Sequence, residues 1–256
     1  MLSSSNARLA AARRLTRRPA RRDAGRFLAE GAQAVREALA AEAVLELFAT
    51  AEAMERHPEL TADAAEINAK DAAALSETVT PQGLVAVCRA VDVPLVTAFA
   101  SRPALVAALV DANDPGNAGT ILRTADAAGA SAVVFAGGVD PYNGKAVRAS
   151  AGSLFHLDVV VGVEVGELLD AARPAGLRAL ATTGAGDRDL DELADAGELA
   201  SPTLWLFGNE ARGLPADVVD TADASVRVPI HGRAESLNLA AAAAICLYAS
   251  ARAQRL

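Results

Sequence analysis

The sequence predicts an α/β protein of two units, a small amino-terminal one and a larger carboxyl-terminal one with a mostly parallel sheet. Three observations predict it. Apolar runs of strand length alternate with helical patterns along most of the chain. A charged, proline-containing stretch over 91–103 interrupts that alternation and reads as a linker. Residues 201–239 hold two strand-to-loop junctions carrying Gly, Asn, Glu and Ser, which is where open α/β sheets bind ligands.

Taken in order, residues 1–25 form a basic arm. Residues 1–26 contain eight arginines against Asp23 alone, a balance of +7, although the whole chain of 256 residues carries −8. The remaining 16 basic and 31 acidic residues give the body −15. A concentrated basic segment on an acidic body suits phosphate backbones, and Arg13, Arg14, Arg17 and Arg18 are its candidate phosphate contacts. A solvated terminus is the alternative. Residues 26–90 form the small unit: a helix over 26–40 with Gly31 inside it, a strand at 44–49, a short helix near 52–56, a strand at 65–69, a helix at 71–77 and a strand at 84–88.

The larger unit spans 104–256. A buried strand at 104–110 leads through the loop 111–119 into a helix at 120–129 that carries Arg123. A strand at 131–136, a Gly-rich loop and the basic run Lys145–Gly152 follow. Next come a helix at 165–173, a strand at 177–181, the loop Thr182–Gly186 and an acidic, solvated stretch over 187–198. The strands within 201–206 and 224–228 then lead to an alanine-rich helix entered at Ser236, which stands where an N-cap would.

Several classes are excluded. No Walker loop and no G-x-G-x-x-G follows a strand. No apolar run approaches the ~20 residues of a membrane span, and the arginine-rich start lacks the apolar segment of a secretory signal, so a cytoplasmic protein is expected. Cys88 and Cys246 sit alone in apolar contexts and read as buried small hydrophobes. His57, His156 and His231 lack metal-ligand spacing, so no metal is expected.

Three blocks agree in order and separation: Asn117-x-Gly119-x-Ile121-x-Arg123-Thr124-Ala125, Gly208-Asn209-Glu210-x-x-Gly213-Leu214, and Val228-Pro229-Ile230-x-Gly232-x-x-x-Ser236-Leu237-Asn238. This set resembles the three motifs of the SpoU (TrmH-type) RNA 2′-O-ribose methyltransferases of the SPOUT superfamily, and Lys145–Phe155 fits the segment between the first and second. More loosely, residues 26–90 resemble the L30e-like substrate-binding domain of ribosomal-RNA members. The resemblance implies a trefoil-knotted carboxyl-terminal domain, a homodimer, and S-adenosylmethionine held against Thr182, Thr183, Gly184, Gly208, Val228, Ile230 and Leu237. It implies an S-adenosylmethionine-dependent RNA methyltransferase, acting on ribosomal RNA. A transfer-RNA enzyme of the same family and a non-catalytic RNA-binding assembly protein are the alternatives.

A ribose 2′-hydroxyl is a weak nucleophile that must be activated, aimed and kept dry. The resemblance gives the activating role to Arg123. Arginine almost never loses its proton, so stabilising the developing oxyanion is physically easier than acting as a base. Asn117, Ser236 and Asn238 are then expected to orient Arg123, the ribose and the adjacent phosphate, and Glu210 to position neighbouring donors. Lys145 and Arg148 suit phosphate binding and surface ion pairs equally. With 4% aromatic residues, recognition by shape and backbone fits better than stacking along a single strand.

Overall fold

A computed structural model describes residues 1–255. The chain divides into two compact units, one formed by Met1–Val91 with Asp140–His156, the other by Asp92–Val139 with Leu157 onward.

The first unit opens with α1 (Ala7–Arg14), α2 (Arg18–Ala24), β1 (Arg26–Glu30) and α3 (Ala32–Ala40). It continues with β2 (Val44–Ala49), α4 (Ala51–Arg56), β3 (Ala65–Glu66), α5 (Ala69–Leu75) and β4 (Leu84–Arg89). Its sheet has the order β1-β4-β2-β3, with β4 antiparallel to both neighbours and β2 parallel to β3. Two expectations change here. The span 26–40 is not one helix, because Phe27, Leu28 and Ala29 are all buried and pair with β4, a two-sided burial that a strand satisfies. Gly31, at φ +90°, turns the chain from β1 into α3. The arm is not free: Leu9, Ala12 and Leu15 pack with Leu28, Phe48, Ile67 and Leu75 in the unit's core.

In the second unit, α6 (Leu95–Ala100) occupies the stretch expected to be a linker, and β5 (Leu105–Val110), α7 (Pro115–Ala128) and β6 (Ala132–Ala136) follow. The chain then supplies α8 (Gly144–Ala149) to the first unit before returning with β7 (Asp158–Val161). Beyond lie α9 (Val165–Ala175), β8 (Arg178–Thr182), β9 (Arg188–Asp189), α10 (Leu190–Asp195), β10 (Thr203–Phe207), α11 (Ala216–Thr221), β11 (Ala224–Arg227) and α12 (Leu239–Ala253). The sheet runs β7-β6-β5-β10-β8-β11-β9, and every neighbouring pair is parallel. Its central strands β5, β6 and β10 are buried along their whole length, as parallel strands covered on both faces must be.

Helix starts differ from expectation in two informative places. The helix expected from Thr120 begins at Pro115, because Asp114 accepts the Gly116 N–H and proline suits the first turn. The helix expected from Ser236 begins at Leu239, with Asn238 as its cap, accepting from the N–H groups of Ala240 and Ala241. The valine run of β7 adds a strand beyond those expected.

Candidate functional site

Three adjacent strands, β10, β8 and β11, run in the same direction and end in loops at one edge of the sheet. Those loops enclose a cavity of about 430 Å³. Thr182, Thr183, Gly184, Gly208, Val228, Ile230 and Leu237 all line it, so the seven residues expected around a methyl donor border one cavity. Thr182 Oγ1 donates to the Leu206 carbonyl across 2.7 Å and the Thr183 N–H to the Val226 carbonyl across 3.0 Å, which locks the end of β8 to both neighbours. Ile230 and Leu237 remain 39% and 38% exposed. Apolar side chains left open inside a concave wall are what a ligand's flat apolar ring would cover.

The backbone packs tightly at two points, where the loop after β8 meets the end of β11 and where the loop after β10 folds back on itself. A Cβ on Gly208 would lie 2.3 Å from the carbonyl carbon of Gly213, and one on Gly186 would lie 2.5 Å from the Arg227 nitrogen. Neither position has room for a side chain.

Beside the cavity, three of the five candidate catalytic residues form one directed chain. The Ala240 and Ala241 N–H groups donate to Asn238 Oδ1, Asn238 Nδ2 donates to Asn117 Oδ1 across 3.1 Å, and Asn117 Nδ2 donates to Glu210 Oε1 across 3.1 Å. Glu210 also accepts from the backbone N–H groups of Asn113 and Asp114 at 3.0 and 3.1 Å. Partial burial pushes the Glu210 carboxyl up. The donors, led by the Asn113 N–H and the Asn117 amide, outweigh it and hold the group below its usual value. The carboxylate is therefore a fixed acceptor that ties the start of α7 to the loop after β10. Glu210, Ser236 and Asn238 line the cavity. Ser236 is exposed and caps no helix, and Arg123 stands exposed on α7.

Asn209 has a part that its sequence motif did not assign. It is 5% exposed, its Nδ2 donates to the Asp111 carbonyl across 2.8 Å, and its Oδ1 accepts from the Ala211 and Arg212 N–H groups. Its place between a glycine and the motif's acid is the one sign of this in the chain, and asparagine's capacity to fold its own loop is the physical reason behind it.

The expected RNA contacts separate. Arg13 donates to the buried Asp71 carboxylate, and Arg148 pairs with Glu30 at 3.2 Å, so both are held inside the first unit. Arg14, Arg17, Arg18 and Lys145 are exposed. Cys88 and Cys246 are buried, and burial pushes both thiols up to about 12, which leaves them inert as nucleophiles. Among the described residues, no group of three or more His, Cys, Asp or Glu could hold a metal ion, and no helix is long and apolar enough to cross a membrane.

Comparison with known proteins places this geometry. Residues 104–248 match the model of the SpoU rRNA Methylase family, and residues 6–86 match an MRM3-like substrate binding domain. A 23S rRNA (guanosine(2553)-2′-O)-methyltransferase of Bacillus subtilis is 40% identical over 177 residues, 68% of this chain and 67% of that protein. A 23S rRNA (uridine(2479)-2′-O)-methyltransferase of Streptomyces viridochromogenes is 41% identical over 144 residues, 54% of this chain and 49% of its own length. Among solved structures, an AdoMet-bound rRNA methyltransferase from Sinorhizobium meliloti superposes with a TM-score of 0.86 at 32% identity, over 98% of this chain and 97% of that one.

Proposed function

The chain belongs to the SpoU rRNA methylase family, and on that premise we propose that it methylates a ribose 2′-hydroxyl of ribosomal RNA with S-adenosylmethionine as donor. One observation carries the reading. Asn117, Glu210 and Asn238, one from each of three blocks spread over more than a hundred residues, are hydrogen-bonded to each other beside a single cavity. The relatives act on 23S rRNA by their names, which favours ribosomal over transfer RNA.

The cavity's walls fit a nucleoside donor. Ile230 and Leu237 offer apolar faces for a purine, and Thr182, Thr183 and Gly184 present a short polar loop at its edge. S-adenosylmethionine, when bound, supplies an electrophilic sulfonium methyl. The chain's own residues do the rest. Arg123 stabilises negative charge as it develops on the 2′ oxygen, which takes the methyl as the methyl's bond to sulfur breaks and releases its proton to solvent. Asn117 and Asn238 fix the orientation of α7, which carries Arg123, and Ser236 faces the ribose side of the cavity. Glu210, saturated with donors, holds the assembly rather than abstracting a proton.

Two further readings belong to the proposal. The tight pass of Gly186 against the Val226–Arg227 backbone supports the threaded knot that the resemblance implies. Ile245 and Tyr248, 43% and 53% exposed one turn apart on α12, support a homodimer that would cover them. We place the protein in the cytoplasm, with its RNA.

The test is transfer of tritium from labelled S-adenosylmethionine into unmodified ribosomal RNA and, separately, bulk transfer RNA, with mapping of the labelled ribose. Label at one ribosomal site is the expected result. Label in transfer RNA alone overturns the substrate, and no donor binding overturns the enzyme.

A further inference from the structure

The loops around the cavity carry cations that none of the roles above uses. Arg212 lies in the loop from Asn209 to Gly213, whose ends exchange backbone hydrogen bonds of 3.0 and 2.8 Å. Its own N–H donates to Asn209 Oδ1 across 3.1 Å, and Asn209 is buried and anchored to the Asp111 carbonyl. The backbone beneath Arg212 is thus held from several directions, while its side chain is exposed and has no hydrogen bond or ion pair among the described residues. Arg233 stands in the exposed loop between Ile230 and Glu235, both of which line the cavity, and its guanidinium is likewise unpaired among the described residues. A Cβ on Gly213 or Gly232, the neighbours of these arginines, would meet nothing within 4 Å, so both loops border open space.

Three other arginines of this unit are neutralised. Arg178 and Arg188 share Glu198, and Arg227 pairs with Asp189. Around the cavity the balance differs, because Glu210 and Glu235 put carboxylates on the wall and the chain as a whole is acidic. Every ribose inside an RNA chain is flanked by two phosphates. A polyanion approaching an acidic wall needs fixed cations at the entrance, and guanidinium groups match phosphate oxygens in pairs.

We propose that Arg212 and Arg233 bind the phosphates flanking the nucleotide whose ribose enters the cavity, so that the entrance itself forms part of the RNA-binding surface. The inference rests on the RNA-methylating reading of the site.

The test compares the full chain with Arg212→Gln, Arg233→Gln and the double variant, and with Arg212→Lys and Arg233→Lys. Binding to unmodified ribosomal RNA is measured across a potassium chloride series, together with kcat, KM and calorimetric affinity for S-adenosylmethionine. Each Gln change lowers the slope of log affinity against log salt by about 0.7 to 0.9, the value for one phosphate contact. The double variant raises KM for RNA at least tenfold, with a much smaller change in kcat and intact donor affinity. The Lys variants keep the slope. An unchanged slope and KM in the double variant overturns the proposal, as does a loss of kcat with the slope intact. Wild-type protein that binds donor and RNA but transfers no methyl defeats the methyltransferase reading instead, and the slopes still decide the phosphate contacts.

Discussion

The side-chain amide of Asn117 donates to Glu210 Oε1 across 3.1 Å, joining positions 93 residues apart. The same amide accepts from Asn238 through its oxygen, so its orientation is set from both ends. An asparagine is suited to this because it both donates and accepts in one plane, whereas an acid or a lysine does only one.

Asn117→Asp should therefore be more damaging than Asn117→Ala. A carboxylate at 117 loses the donor that Glu210 uses and sets two like charges against each other. The expected result is a fall in kcat of about 10²-fold or more for Asp and a smaller fall for Ala, in line with loss of a positioning group. Equal kcat values for the two variants would contradict the directed chain.

Glu210 gives a pH signature. Its folded value is lowered, so the stability it contributes is complete above the unfolded carboxylate value of about 4.3 and is lost as pH falls through the lower folded value. The difference in melting temperature between wild type and Glu210→Gln should be constant near neutrality and shrink only below about pH 4.3. Thermal melts from pH 3 to 7 decide it, and a difference that grows toward acid would reverse the sign argued here.

Arg123→Ala should abolish methyl transfer while leaving circular dichroism, melting temperature and donor binding unchanged, because Arg123 is exposed. Wild-type turnover in this variant would remove Arg123 from the chemistry.

Gly208→Ala should destabilise the protein by about 3 kcal/mol or more, since overpacking typically costs 1–3 kcal/mol and here the added methyl meets backbone 2.3 Å away. Gly184→Ala, whose Cβ would meet nothing within 4 Å, is the matched control for fold stability. Denaturant midpoints compare the two.

Deleting residues 1–25 should lower the stability of the first unit rather than simply weaken RNA binding, because Leu9, Ala12 and Leu15 are in its core and Arg21 is buried against Asp140 at 2.8 Å. Asp140→Ala alone should cost about 3–5 kcal/mol by stranding that buried guanidinium. The contribution of exposed arm arginines to RNA binding is isolated by Arg14→Ala with Arg17→Ala, which should reduce the salt slope at unchanged melting temperature.

Much of the site is legible in the chain itself. The resemblance carried by the three blocks names Asn117, Glu210 and Asn238 as candidates, and the structure joins these three by hydrogen bonds. The parallel sheet is legible too, since strands buried on both faces read as unbroken apolar runs.

By itself the sequence determined most of the alternation of elements, the loops at the strand ends and the residue types available for chemistry, all of which depend on interactions within a few residues. Tertiary structure alone decided partners. Ser236 and Asn238 are both good helix caps by type, and the backbone path selected Asn238. The arm's arginines look uniformly free in the chain, but the leucines between them bury a face of α1, and that burial carries Arg13 to Asp71. Arg148 suits a phosphate as well as a carboxylate, and it meets Glu30, 118 residues away, only because the segment after β6 folds into the first unit. Ion pairs are chosen by proximity in space, and electrostatic attraction leaves no periodic pattern in the chain for a reader to find.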